Sequence, residues 1–175
     1  MDRAEILRWN RKYDKDNAWK SQTEQELGAK LRKSKVMSMQ DLSRIVEWQF
    51  KEDDRKKAKV LEAVSKNDDE VVMKISSQAF CVPSEEDSFR INSLMMLNGV
   101  SPVLASVVLA FFDPRHYGVF GAGVWRALLG NEPPNLFSVQ NYLKFLSALR
   151  KTAAKYGLDV RIVDKGLYEK SVDES

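Results

Sequence analysis

Residues 94 to 127 constrain this chain more than any other stretch. Leu94-Met95-Met96-Leu97 runs into Asn98-Gly99-Val100-Ser101-Pro102, and a second apolar run follows, with a face at Leu104, Val107, Val108 and Phe111, as far as Asp113-Pro114. Gly99 supplies a backbone position where positive φ is cheap, and Pro102 fits the first turn of a helix, where no N–H is needed. The spacing predicts two apolar helices meeting at a very short turn, over about residues 85 to 112. A helix start of this kind leaves backbone N–H groups free for an anion. The plainer alternative is an ordinary corner between helices.

A chain of 175 residues with 43% hydrophobic and 30% charged residues fits one globular domain. Such a length buries roughly 70% of the surface the unfolded chain exposes. No apolar run approaches the ~20 residues of a membrane span, and the polar start Met1-Asp2-Arg3 does not resemble a signal peptide. A cytoplasmic, nucleoid or nuclear location and a monomeric state are therefore expected, with no membrane partner. Cys81 is the one cysteine and His116 the one histidine. This composition excludes an internal disulfide, a four-cysteine cluster and the usual zinc sites, so no metal and no cofactor is expected.

The net charge of +3 is too small to identify a nucleic-acid binder unaided. The basic residues are clustered: Arg8, Arg11, Lys12 and Lys15; Lys30, Arg32, Lys33 and Lys35; Lys51, Arg55, Lys56, Lys57 and Lys59; Arg150, Lys151 and Lys155. Such clusters are either solvated helix faces or contacts to a phosphate backbone.

Along the chain, residues 2 to 14 read as a short amphipathic helix or an ordered arm, and 16 to 33 as a mostly exposed helix. Ser38 with Asp41 looks like a capped start, leading into Leu42, Ile45 and Val46. The charged segment 51–59 reads as a loop entering a helix through Val60, Leu61 and Val64. Asn67-Asp68-Asp69-Glu70 offers a cap and an acidic first turn to a helix carrying Val71, Val72, Ile75, Ala79 and Phe80. Ser84 is placed as the cap of the first hairpin helix. Val124 to Leu129 forms a short helix stopped by Gly130. Ser138 caps a helix with Val139, Tyr142, Leu143, Leu146, Leu149, Ala153 and Tyr156 on one face, stopped by Gly157. A last element spans 161 to 168, with Asp164 as its cap or as a free acid, and the tail from Ser171 is expected to fray. Eight to ten helices without a secure strand make an all-α domain.

Leu97-Asn98-Gly99-Val100-Ser101 resembles the L-P-G-V-G hairpin of the helix-hairpin-helix DNA glycosylase superfamily. Tyr117-Gly118-Val119-Phe120-Gly121-Ala122-Gly123-Val124-Trp125-Arg126 is similar to that superfamily's Y-x-V-x-D-x-x-V-x-R segment. The resemblance spans about 35 residues. It implies two helical lobes flanking a cleft, a hairpin that holds DNA through Asn98, Gly99, Val100 and Ser101, and a pocket for a flipped base. Tyr117, Trp125, Arg126 and Trp48 are candidates for that pocket, with Phe120 beside them, and for each aromatic the core is the stronger placement. The family's catalytic Asp falls on Gly121, 22 residues after Gly99, and the Lys of its DNA-nicking members falls on Val103. Neither chemical group is present. Asp113 and Asp164 are the candidate replacement acids, each with a structural alternative, and His116 is a remote candidate base.

Three functions follow as expectations. One is a base-excision-repair enzyme that hydrolyses an N-glycosyl bond with a displaced acid. Another is an inactive module that binds damaged or bent DNA. The last is a helical scaffold for protein partners.

Overall fold

The computed structural model describes residues 1–83 and 86–175. Ten helices and no strand form among them. They are α1 (Arg3–Asp16), α2 (Ala18–Ser34), α3 (Met39–Gln49), α4 (Asp54–Val64), α5 (Asp69–Cys81), α6 (Asp87–Met95), α7 (Pro102–Phe112), α8 (Ala122–Leu129), α9 (Val139–Tyr156) and α10 (Val160–Asp173).

Local chemistry explains most of the boundaries. Ser38 and Asp41 close a reciprocal capping box at α3, and Asp68, Ser101 and Ser138 cap α5, α7 and α9 through their side chains. Gly157 ends α9 in the left-handed region at φ +61°. The expected cap at Ser84 lies outside the described residues.

Three expectations need correction. Segment 51–59 is largely helix, because the Asp53 carboxylate accepts the Lys56 N–H and starts α4 at Asp54. Asp164 does not cap α10; Asp159 holds the N-cap position, five residues earlier. The tail is helical to Asp173, where Lys170 reaches Glu5 at 3.1 Å and Lys12 reaches Asp173 at 3.4 Å on the neighbouring α1.

The core forms around α7. Its residues Leu104 to Phe112 are all buried, so the helix is enclosed on every side rather than along one face. Burying each Leu, Val or Phe there contributes about 1.5–3 kcal/mol. Helices α2, α3 and α6 pack on α7, while α1 lies along α10 and α8 and α9 flank α10. Helix α2 is less exposed than its sequence suggests, since Leu27, Gly28 and Leu31 meet α7. A Cβ at Gly28 would stand 2.6 Å from the Phe111 carbonyl oxygen, so only glycine permits this approach. One turn on, Arg32 donates to that same carbonyl at 2.8 Å and satisfies the C-terminal end of α7. No helix among the described residues is long and apolar enough to cross a membrane.

The α3 cap carries a pH dependence. Burial alone would raise the Asp41 carboxyl, but Lys30 Nζ at 2.6 Å and the Ser38 N–H at 3.0 Å hold it below the ordinary carboxylate value. A depressed carboxyl stabilises the fold above the unfolded pKa and loses that contribution as pH falls through the folded one. Asp41→Asn should therefore cost about 1–2 kcal/mol at neutral pH, with the gap to the parent narrowing in acid, as measured by urea unfolding across pH.

Candidate functional site

The turn between α6 and α7 is held from below. Gly99 adopts φ +80°, and a Cβ on it would meet Val64 Cγ1 at 2.9 Å and Ala63 Cβ at 3.0 Å. Glycine is thus required twice, for the turn and for its seat on α4. Asn67 clasps the turn by accepting the Asn98 N–H at 2.8 Å and donating to the Asn98 carbonyl at 3.0 Å. Its sequence context suggests only a helix cap, a role that Asp68 takes instead.

These bonds correct the expected phosphate contacts. The Asn98 amide is committed to Asn67 and the Val100 amide to the Leu97 carbonyl, and the Val100 side chain is buried. Among the described residues no acceptor meets the N–H groups of Gly99, Ser101 and Val103, and Gly99 and Ser101 are exposed. So the turn offers three amides rather than the four residues foreseen, with Val103 contributing main chain in place of an amine.

Downstream, residues 116 to 121 have no repeating structure, and side chains from four helices hold them, three of those helices through the backbone. Arg150 of α9 donates to the His116 carbonyl at 2.9 Å, and Tyr142 of the same helix to the Gly118 carbonyl at 3.3 Å. Asp164 of α10 accepts the Val119 N–H at 2.8 Å, and Ser106 of α7 accepts the Phe120 N–H at 2.9 Å. The fourth helix is α6, whose Asp87 accepts the Tyr117 hydroxyl at 2.6 Å. This lacing delivers Gly121 to the N-terminus of α8 in extended backbone, without a side-chain cap and with nothing within 4 Å of where its Cβ would be.

A cavity of about 170 Å³ opens at Gly121. Tyr13, Lys20, Trp48, Arg161, Asp164 and Tyr168 contribute to its wall. Of the four foreseen pocket residues, only Trp48 is here, along with Phe120. Tyr117 is fully buried elsewhere, between the Arg90 and Arg150 guanidinium groups, which lie 5.7 and 5.0 Å from its ring. Burial and its bond to Asp87 push the Tyr117 phenol well up. Trp125 is buried with its indole N–H on the Asn131 carbonyl, and Arg126 is exposed and paired with Glu132. Both therefore serve α8 and its following loop rather than the cavity.

The candidate acids fare similarly. Asp113 ends α7 and bonds His116 Nδ1 at 2.8 Å, away from the cavity. His116 is exposed beside it. Asp164 reaches the cavity wall, but its Oδ2 already serves the Val119 N–H and Arg161, and burial pushes its carboxyl up. It is a positioning group. Among the described residues no set of three His, Cys, Asp or Glu side chains is placed to hold a metal.

Electrostatics at the cavity centre on Arg161. It is buried, meets Glu24 at 2.8 and 3.0 Å, and bonds Asp164. Lys165 adds a second cation, 3.7 Å from Glu24, so two acids face two bases. Trp48 forms the floor: its ring stands edge to face with Phe111 at 5.0 Å, and its indole N–H donates to the Lys20 carbonyl at 2.9 Å. The Lys20 ammonium lies 4.6 Å from the same ring. Burial, then repulsion from Arg161, lowers the Lys20 pKa from its ordinary value. Sequence reasoning missed Lys20, Tyr13 and Arg161 because each sits on a helix remote in sequence from the hairpin.

Removing Arg161 would strand two buried carboxylates. Arg161→Met should cost about 3–5 kcal/mol in urea unfolding, whereas Ser106→Ala, which orphans one amide, should cost about 1–3 kcal/mol. Compared with known proteins, the chain matches no family model, no curated protein and no solved structure.

Proposed function

We propose that this chain binds DNA as a helix-hairpin-helix protein of the glycosylase type, with residues 99–103 on a phosphate and an extruded base in the cavity at Gly121. The observation that carries the reading is the position of the cavity. It opens at the residue where the resemblance puts the reacting centre, and the Trp48 indole is part of its wall. The unpaired amides of the turn support the same reading, since they are the kind of donors a phosphate takes.

Within this reading, binding is better supported than hydrolysis. General acid–base assistance is worth about 10²–10⁴-fold, and no uncommitted carboxylate lines the cavity among the described residues. The basic clusters are also partly spent inside the molecule: Lys12 pairs with Glu169 at 2.7 Å, Lys30 with Asp41 at 2.6 Å, and Arg150 with Asp87. The phosphate-binding role accordingly rests on the turn.

Gly99→Glu would disturb the seat on α4, so Ser101→Asp is the cleaner test, because it keeps a side-chain cap on α7 while placing a negative charge among the free amides. By fluorescence anisotropy, the parent should bind short duplexes carrying a mismatch or an abasic-site analogue. Log K should fall about 0.9 per phosphate contact as log salt rises. Ser101→Asp should weaken binding about tenfold or more, and an unchanged affinity would move the assignment to the protein-binding scaffold.

A second reading, an active hydrolase, is favoured by one observation: the open space at Gly121 admits an acid without a clash. Gly121→Asp should fold with a few tenths of a kcal/mol of added stability from capping. In single-turnover assays on duplexes with damaged or mismatched bases, base release by Gly121→Asp but not by the parent would identify a binding module that lacks only its acid. Release by the parent itself would establish the hydrolase.

A further inference from the structure

A second cavity, of about 580 Å³, lies where the end of α7 meets α2 and the start of α10, with α1 on its remaining side. Hydrogen bonds hold its corners together: the Arg161 N–H donates to the Pro114 carbonyl at 2.9 Å and the Val160 N–H to the Arg115 carbonyl at 3.2 Å, while Arg32 of α2 reaches the Phe111 carbonyl at 2.8 Å. Three acids, Asp14, Glu24 and Asp159, and three bases, Arg32, Arg161 and Lys165, line it. Their charges cancel, so the cavity has no surplus of cations for a phosphate chain. It shares with the cavity at Gly121 a single wall residue, Arg161, among those described.

Four of the six charges are committed to one another. Arg161 holds Glu24 with two bonds, and Lys165 bridges Asp14 at 3.0 Å and Glu24 at 3.7 Å. Asp159 and Arg32 are different. Asp159 stands at the N-cap of α10, yet its carboxylate accepts no N–H there, and its one described ion-pair partner is Arg115 at 4.0 Å, with both side chains more than half exposed. Arg32 uses Nη1 on the Phe111 and Phe112 carbonyls, and among the described residues nothing accepts from its Nε or Nη2, which form one edge of the guanidinium fork. A third group is open for a covalent reason. Pro114 stands four residues after Ala110 and has no N–H, so the Ala110 carbonyl lacks its helical partner, and no described side chain donates to it. It carries the partial negative charge of a helix end, one peptide unit from the carbonyl that holds Arg32.

The open groups are thus a guanidinium edge and, near it, a carboxylate and a helix-end carbonyl. A simple anion would satisfy the first and be repelled by the other two, and a simple amine would do the reverse. An α-amino acid matches both sets, since its carboxylate takes a parallel pair of N–H donors and its ammonium has three hydrogens for oxygen acceptors. We propose that this cavity binds a free α-amino acid, its carboxylate on Arg32 and its ammonium between Asp159 and the Ala110 carbonyl.

Titration calorimetry with L-glutamine tests the site, because the amides of Gln22 and Gln25 in the same wall suit an amide side chain. The parent should give a saturable one-site isotherm below about 10 mM. Glutaramate, which lacks the ammonium, and 4-aminobutanamide, which lacks the carboxylate, should each bind about tenfold more weakly or worse. Asp159→Asn removes a charge that caps nothing, so it should keep the parent's urea midpoint and lose about tenfold in affinity for L-glutamine but not for glutaramate. Arg32→Lys keeps a cation and a donor for the Phe111 carbonyl without the second edge, and it should lose about as much for both. Absence of saturation, equal binding of the three compounds, or parental affinity in the two variants overturns the proposal.

Discussion

A buried loop must find partners for its main-chain polar groups, and in residues 116–121 four of those partners are side chains. Ser106, Tyr142, Arg150 and Asp164 come from α7, α9 and α10, and they fix a segment with no hydrogen-bond ladder of its own. An unmet buried amide or carbonyl costs about 1–3 kcal/mol, so four such bonds outweigh the entropy of ordering a few loop residues only if the helices are already in place. The loop is thus a consequence of the packed helices, and the cavity at Gly121 is a consequence of the loop.

The same dependence runs through Arg161. One guanidinium ties Glu24 on α2 to Asp164 on α10, and Asp164 in turn holds Val119. Desolvation opposes every one of these charges, so the network contributes little net stability as a set and a large penalty when one member is removed. What it supplies is position. It fixes the wall of the cavity.

The sequence made the helices legible and the site only partly so. Caps at Ser38, Asp68, Ser101 and Ser138 are local chemistry within four residues, and they stand where periodicity places them. Gly99 is readable as a turn, but its second constraint, the approach to Val64, depends on a helix some 35 residues earlier. Tyr117 and Arg126 look like pocket residues by spacing from the hairpin, yet spacing does not say which way a side chain points from an extended segment or a short helix. Tyr117 is taken by Asp87, and Arg126 lies on the solvent side of α8. Lys20 carries no local signal at all. Its character comes from Trp48 and Arg161, which only the tertiary fold brings to it.

Gly121 shows how little a helix start depends on the residue at its cap. An N-cap glycine costs only a few tenths of a kcal/mol relative to Asp, so its presence hardly affects α8. A general acid or base contributes about 3–5 kcal/mol to a barrier, so the identity of residue 121 matters far more to any chemistry in the cavity than to stability. The turn at Gly99 and the Trp48 indole belong to other elements and are untouched by the exchange. In the proposed reading, binding and hydrolysis are separable because different residues would carry them.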